Sequence, residues 1–417
     1  MFAGMKSCII LWLAILLFAS NSLGKDFRYL RTEDGLPDGE INSIVQDSSG
    51  NMWFATWSGL VKYDGYYFEV FRPVLGDTTS LPEKKIKKLF VDSNTNLWIA
   101  TSMGLCRYNQ NLKTFQSYRF EGISSGGINI LYLSELEKHL VVHAVEGLYI
   151  LPLSKAYEAG KMISRNQVLN KGQSSDEYYY YSLAFNDQLI FVSNSTSQTS
   201  SIVFTSLFST GQKTFLSVEK MVELKERINC IEHCSITNTL YVATTKGVFP
   251  FSLDTGEFTG NILFQREDVQ KIVYTSNHRL YASVTYPRLL YIDLHTGITG
   301  NFESNPYLAG ALLDNEILAL FEDFSGNLWI GHQGQGISIM DLYRKKFFSF
   351  HKEPFREETL NSNTIMCFEG TDNEIFIGCR NNGLNVVSKN ELATRFPVFR
   401  KLLVKNDNFP GGISDGI

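Results

Sequence analysis

Asp-x-Ser-Gly-Asn-x-Trp occurs twice in this chain, at 47–53 and at 323–329, and looser versions recur along it. A unit repeated every 40 to 50 residues constrains the fold more than any other property of a sequence, because each copy is one supersecondary element that must bury its face against the next. Aligned on the Trp position, the series is Trp53, Trp98, Val141, Ile190, Tyr241, Tyr281, Trp329 and Phe376, with spacings of 40 to 51 residues. The first, second, seventh and eighth units are plain and the third and fifth recognisable. The fourth and sixth rest mainly on spacing.

Each good unit has four parts. An alternating run (Ile41 to Val45, or Ile317 to Phe321) leads into a polar turn. An apolar run through the Trp position follows, then a short loop and Gly-Leu, Gly-Val or Gly-Ile with further alternation. A Phe/Tyr-rich run such as Tyr67 to Phe71 or Phe347 to Phe350 ends the unit. Alternation over 4 to 8 residues between turn signals reads as strand. Four short strands per unit make an antiparallel blade, and blades packed radially make a β-propeller. The residue three before the Trp position is Gly50, Thr95, Lys138, Asp187, Asn238, His278, Gly326 or Asn373. Gly, Asn and Asp predominate there, as a hairpin with positive φ requires. The recurring Trp is read as core between blades rather than as a stacking platform, since it sits at a structural repeat position.

Composition agrees. Of 417 residues 44% are apolar, 19% charged and 13% aromatic, with 20 Tyr and 30 Phe, which suits pleated surfaces and a large core. The net charge of −5 offers no basic footprint for nucleic acid or anionic membrane. At the N-terminus Lys6 precedes an apolar run from Cys8 to Ala19, followed by the small residues Ser22 and Gly24. This is the pattern of a secretory signal peptide over 1–24; the run is well short of the ~20 residues that span a bilayer. The five cysteines after it are scattered and odd in number, which is no disulfide framework.

The motifs Trp53-Phe-Ala-Thr-x-x-Gly-Leu-x-x-Tyr-Asp, Trp98-Ile-Ala-Thr-x-x-Gly-Leu-x-x-Tyr-Asn and Asp323-x-x-Gly-Asn-Leu-Trp-Ile-Gly resemble two-component regulator propeller repeats. The resemblance spans about residues 27 to 400. It implies the periplasmic sensor region of a bacterial hybrid two-component system. In such systems two seven-bladed propellers precede an immunoglobulin-like module, a membrane span, a histidine kinase and a receiver, and many members sense oligosaccharides released from glycans. The resemblance further implies a homodimer in the full-length protein and an inner-membrane anchor. No kinase motif or membrane span occurs in this chain, and 409–417 resemble the approach to another first strand, so the chain reads as the N-terminal part of a longer sensor.

Phe27 to Leu30 resembles a fourth strand and precedes unit one. It is expected to complete unit seven, giving a signal peptide (1–24), a seven-bladed propeller (25–345) and the first blade of a truncated second propeller (346–417). A single eight-bladed ring is the alternative.

Function is expected on the rim formed by the loops between the Trp and Gly positions. A sugar presents an apolar CH face and a ring of hydroxyls, so an aromatic plane with amide, imidazole and guanidinium groups suits it. Trp57, His332, Gln333, Gln335, Arg380 and Asn381 are the residues of those types, Trp57 foremost. Unit four is read as replacing its motif with a long polar loop, 193–201, which carries the sequon Asn194-Ser-Thr196. Cys230-x-x-His233-Cys234 lacks zinc spacing, and strand alternation turns His233 away from both thiols. No metal, cofactor or catalytic set is expected. The alternative to a sensor is a secreted propeller enzyme acting on glycans, whose facing carboxylates leave no local motif.

Overall fold

The computed structural model describes residues 27–402 except 124–126, 156–161, 164, 167, 170–176, 196–198, 211–212, 286–287, 306, 308–309, 315, 344–349, 354, 381 and 393–396. The leader read over 1–24 and most of the run 347–350 therefore lie outside the described residues. Two compact units are present, 1–343 and 344–417.

In the first unit seven blade sheets follow one another along the chain, all antiparallel but for a two-residue parallel pairing, Val168–Leu169 with Leu216–Ser217, in blade 4. Blade 1 comprises Ser43–Gln46, Met52–Thr56, Gly59–Tyr63 and Phe68–Phe71. Blade 2 repeats the order with Ile86–Val91, Leu97–Thr101, Gly104–Asn109 and Thr114–Ser117. The inner strands of blades 3 to 7 are Ile130–Leu136, Glu177–Phe185, Ile228–Cys234, Val269–Tyr274 and Ile317–Glu322. Blade 7 has three strands of its own, and Arg28–Leu30 supplies the fourth. Its register, Arg28↔Ile339 and Leu30↔Ile337, closes the ring at seven blades rather than eight.

Buried aromatic and aliphatic side chains fill the spaces between blades. Trp53 of blade 1 packs 5.1 Å from Tyr108 of blade 2, and Trp329 of blade 7 packs 5.8 Å from Phe54 of blade 1. The Trp position is buried in all seven blades, including the eroded ones, where Ile190 and Tyr281 occupy it. The turn before it has positive φ at Gly50, Thr95, Lys138, Asn238, His278 and Gly326; in blade 4 that role falls on Asn186, one residue earlier than the spacing implies.

Blade 4 corrects one expectation. The polar stretch 193–201 is not a long loop. Gln188–Ser195 and Ser200–Thr210 pair through it, with Ser193 opposite Ser201 and Asn194 opposite Ser200. Polar residues are tolerated there because they bond inward. Asn194 donates to Ile228 O at 2.9 Å, and Ser200 Oγ donates to Asn194 Oδ1 at 2.6 Å. The sequon's Asn194 is thus buried and committed to structure.

The second unit contains one four-stranded sheet, Ile365–Gly370, Glu374–Cys379, Gly383–Ser388 and Arg400–Leu402. Its inner strand is exposed along its whole length, Met366 and Phe368 included. Among the described residues no helix is long and apolar enough to cross a membrane.

Candidate functional site

The repeat motif resolves into a single device. Asp47 accepts the backbone N–H groups of Ser49 and Asn51 on Oδ1 at 2.9 Å, and the indole N–H of Trp53 on Oδ2 at 2.8 Å. Asp92 and Asp323 do the same for Trp98 and Trp329. One carboxylate therefore shapes the turn and satisfies the buried indole, so Asp, the positive-φ turn residue (Gly50, Thr95 or Gly326) and Trp must keep their spacing. The neighbouring Glu322 is likewise structural, accepting Ser276 N–H of blade 6 at 2.8 Å.

At the other end of blades 1, 2 and 5 a second device recurs. Thr56, Thr101 and Thr244 are buried at the end of the second strand and donate to the carbonyls of Gly59, Gly104 and Gly247 at 2.8 to 3.1 Å. His332 stands at this position in blade 7. It is fully buried, with Nε2 2.9 Å from Ser338 Oγ, and burial pulls its pKa down to about 4. His332 is thus not a loop residue open to a ligand, contrary to the reading from sequence. The second strand runs one residue further than expected and takes the imidazole inside.

The other rim residues are where the loops were expected. Trp57 is 48% exposed, with Lys85 Nζ 5.5 Å from its ring centroid. Gln333 and Gln335 are exposed on the loop after His332. The segment 38–40 joins the two loops. Ser58 Oγ donates to Asp38 at 2.9 Å, and Gly336 N–H donates to Gly39 O at 2.9 Å. A Cβ on Gly39 would lie 2.2 Å from Gly334 O, so only glycine allows this approach. The closure thus brings Trp57, Gln333 and Gln335 to one face with Asp38 and Glu40. Burial, then the Asp38 charge, raises the Glu40 carboxyl above its usual range. Arg380 is exposed on the matching loop of the separate second unit, and Asn381 lies outside the described residues.

The inner strands enclose a further feature that the sequence reading passed over, a central channel of about 480 Å³. Blades 2 to 7 each carry a register irregularity near the start of the inner strand. Bulges of this kind re-aim side chains. The residues at that level are Ser43, Lys88, Tyr132, Tyr181, Cys230, Lys271 and Ala319, one per blade, all lining the channel. Tyr132 and Tyr181 pack with tilted rings, centroids 4.8 Å apart, and Lys271 donates to the Tyr181 hydroxyl. One level along stands Glu232, whose carboxyl burial pushes up to about 7. In five of the seven blades the ring residue follows by two the residue that opens the inner strand, as Lys88 follows Ile86 and Lys271 follows Val269, a spacing that only the observed strand starts reveal. Cys230 and Cys234 share one apolar cluster while His233 packs on Phe185 at 4.8 Å on the other side of the strand.

Residues 35–58 and 311–334 match the two component regulator propeller. These two segments carry two component regulator propeller repeats. The matched segments are the two that meet at the ring closure. A stretch of 69 residues is 39% identical to Histidine kinase P4 of Formosa agariphila, covering 16% of this chain and 5% of that protein. Among solved structures, the chain resembles those assigned to the extracellular domains of the hybrid two component systems BT3049 and BT4673 of B. thetaiotaomicron. The TM-scores are 0.61 and 0.58, the identities 20% and 17%, and the alignments cover 90% and 92% of this chain. The chain spans about half the length of each, 49% and 47%. At these identities the likeness is one of fold.

Proposed function

We propose that this propeller is the extracellular ligand-sensing part of a hybrid two-component system, and that it takes a glycan-derived oligosaccharide at the closure rim. The observation that carries the reading is the position of Trp57. The repeats matching two component regulators adjoin at the closure, and there a half-exposed indole stands on a loop that the segment 38–40 links to the loop of Gln333 and Gln335. A sugar would lay its CH face on the indole and its hydroxyls on the amides and carboxylates.

The role is non-catalytic. A ligand signals only by favouring one of two arrangements. The element it biases here is the packing of this propeller against a second propeller or a dimer mate, passed on through an immunoglobulin-like module to a kinase across the inner membrane. The protein is exported to the periplasm by the leader 1–24.

Titration calorimetry of the purified chain against a panel of glycan oligosaccharides, with chromatography of the mixtures afterwards, tests this. Saturable binding with the sugars recovered intact is expected. Conversion of any sugar would overturn the non-catalytic role, and absence of binding across the panel would overturn the rim site.

A further inference from the structure

We propose that the axial channel is a second ligand site, independent of the rim, which takes a small oxyanion (a sulfate or a carboxylate) between Lys88 of blade 2 and Lys271 of blade 6.

The first argument is the chemistry of the ring. Its polar members present donors. Lys88 and Lys271 carry N–H groups and no acceptor. Tyr181 accepts from Lys271 and keeps its own hydroxyl hydrogen to give, and Ser43 accepts from Leu89 N–H and likewise keeps its own. Among the described residues neither the Lys88 ammonium nor the Tyr132 hydroxyl has a hydrogen-bond partner, and neither lysine forms an ion pair. A ring rich in free donors and without a carboxylate is what an oxyanion requires. Two acids line the channel outside this ring, Glu232 and Glu322; they accept Tyr274 N–H at 3.4 Å and Ser276 N–H at 2.8 Å, and neither pairs with a lysine.

The second argument is electrostatic. Lys88 and Lys271 are half-buried in the same narrow wall; Lys88 feels the Lys271 charge, while burial opposes the Lys271 ammonium but Tyr181 and Cys230 hold its pKa above the usual value. Leaving a like-charged pair there without a counter-ion is costly. Burial first, and then the Lys271 charge, pulls Lys88 down to about 7. An anion between them reverses both effects, since charge-assisted bonds in a crowded site are the strong ones.

The third argument is architectural. The bulge that aims these side chains at the axis recurs blade after blade, yet the residue it aims is different in character each time. Apolar packing around an axis needs no lysine, and Ala319 shows what the fold accepts there when no group is required.

Two probes test the site, sodium sulfate and sodium glucuronate, each against sodium chloride at matched ionic strength, by calorimetry and thermal melting of the full chain. The wild type is expected to bind with a midpoint that rises by a few degrees at a hundredfold excess over Kd. Lys88→Met and Lys271→Met are expected to bind at least about tenfold more weakly, as loss of a charge-assisted partner entails. Lys88→Met is also expected to melt higher than wild type in chloride alone. Lys88-dependent binding of sulfate alone assigns the site to a free inorganic anion, and of glucuronate alone to an acidic sugar. Sulfate stabilises most proteins by exclusion, so an equal response in wild type and both variants would overturn the proposal.

A labelling experiment needs no variant. Acetic anhydride near pH 7.5 is expected to modify Lys88 faster than exposed Lys113, and either bound anion is expected to slow it several-fold. Unaltered labelling of Lys88 by both anions would equally overturn the site.

Discussion

The indole nitrogen of Trp98 donates to Oδ2 of Asp92 at 2.8 Å, and both residues are buried. The same bond joins Trp53 to Asp47 and Trp329 to Asp323. It links the turn of a blade to its core, and therefore explains why one short motif is written repeatedly in the chain.

Asp92→Ala leaves the Trp98 N–H, the Asn96 amide and two turn N–H groups without their acceptor. Each buried donor left unpaired costs about 1–3 kcal/mol. The substitution is expected to destabilise by about 3 kcal/mol or more and to lower the melting temperature by several degrees. Asp64→Ala, which removes a similar turn acceptor on the surface, is expected to cause a clearly smaller loss. Equal shifts would show that the indole bond contributes little.

The closure rests on close backbone approach. Gly336 has φ +95°, and a Cβ on it would lie 2.2 Å from Leu30 O. Gly336→Ala is expected to speed amide exchange at Arg28–Leu30 and 337–339 while leaving blades 2 to 6 protected. Gly334→Ala, with open space around the added Cβ, is expected to be near neutral. Unchanged protection of 28–30 in Gly336→Ala would contradict the closing pairing.

His332 provides a pH-dependent test. Its folded-state pKa, about 4, lies below the ordinary value of 6.5 because burial disfavours the imidazolium. Between those values the unfolded chain binds more protons. The stability tied to neutral His332 is therefore whole above pH 6.5 and is lost as pH falls toward 4, by about 3 kcal/mol. Glu232 acts with the opposite sign: its carboxyl is raised to about 7, so its burial costs less as pH falls from 7 toward 4.5. The quantity to measure is thus the difference between wild type and His332→Gln across pH 4 to 7. The difference is expected to shrink as the solution is acidified; a constant difference would mean that His332 titrates normally.

Repetition made most of the fold legible. Blades 1, 2 and 7 carry the Asp–Trp bond, with Thr95 standing for Gly in blade 2, and Phe27 to Leu30 is recognisable as a strand without a blade of its own. Blade 4 was not legible, because a repeat motif is only one way to make a strand pair. Its long strands bury Phe191, Ile202 and Val203 and close through Asn194 and Ser200, which resemble loop residues in composition. The exposure of Trp57 was legible, because a large aromatic side chain stands in a variable loop. His332 was misplaced although the repeat held the answer: it aligns with Thr56, Thr101 and Thr244, and those are strand ends. Lys88, Tyr132, Tyr181 and Lys271 were missed because alternation distinguishes the two faces of a strand but not which residue a bulge turns toward an axis.

The central claim, that the closure rim binds a sugar on Trp57 without transforming it, is tested most directly by calorimetry of wild type and Trp57→Ala with whichever panel oligosaccharide binds best. Loss of a stacking aromatic is worth about 1–3 kcal/mol. The account predicts affinity about fivefold or more weaker in Trp57→Ala, an unchanged melting temperature because the side chain is half-exposed, and intact sugar in both mixtures. Equal affinity in the two proteins, or release of a smaller sugar, would contradict it.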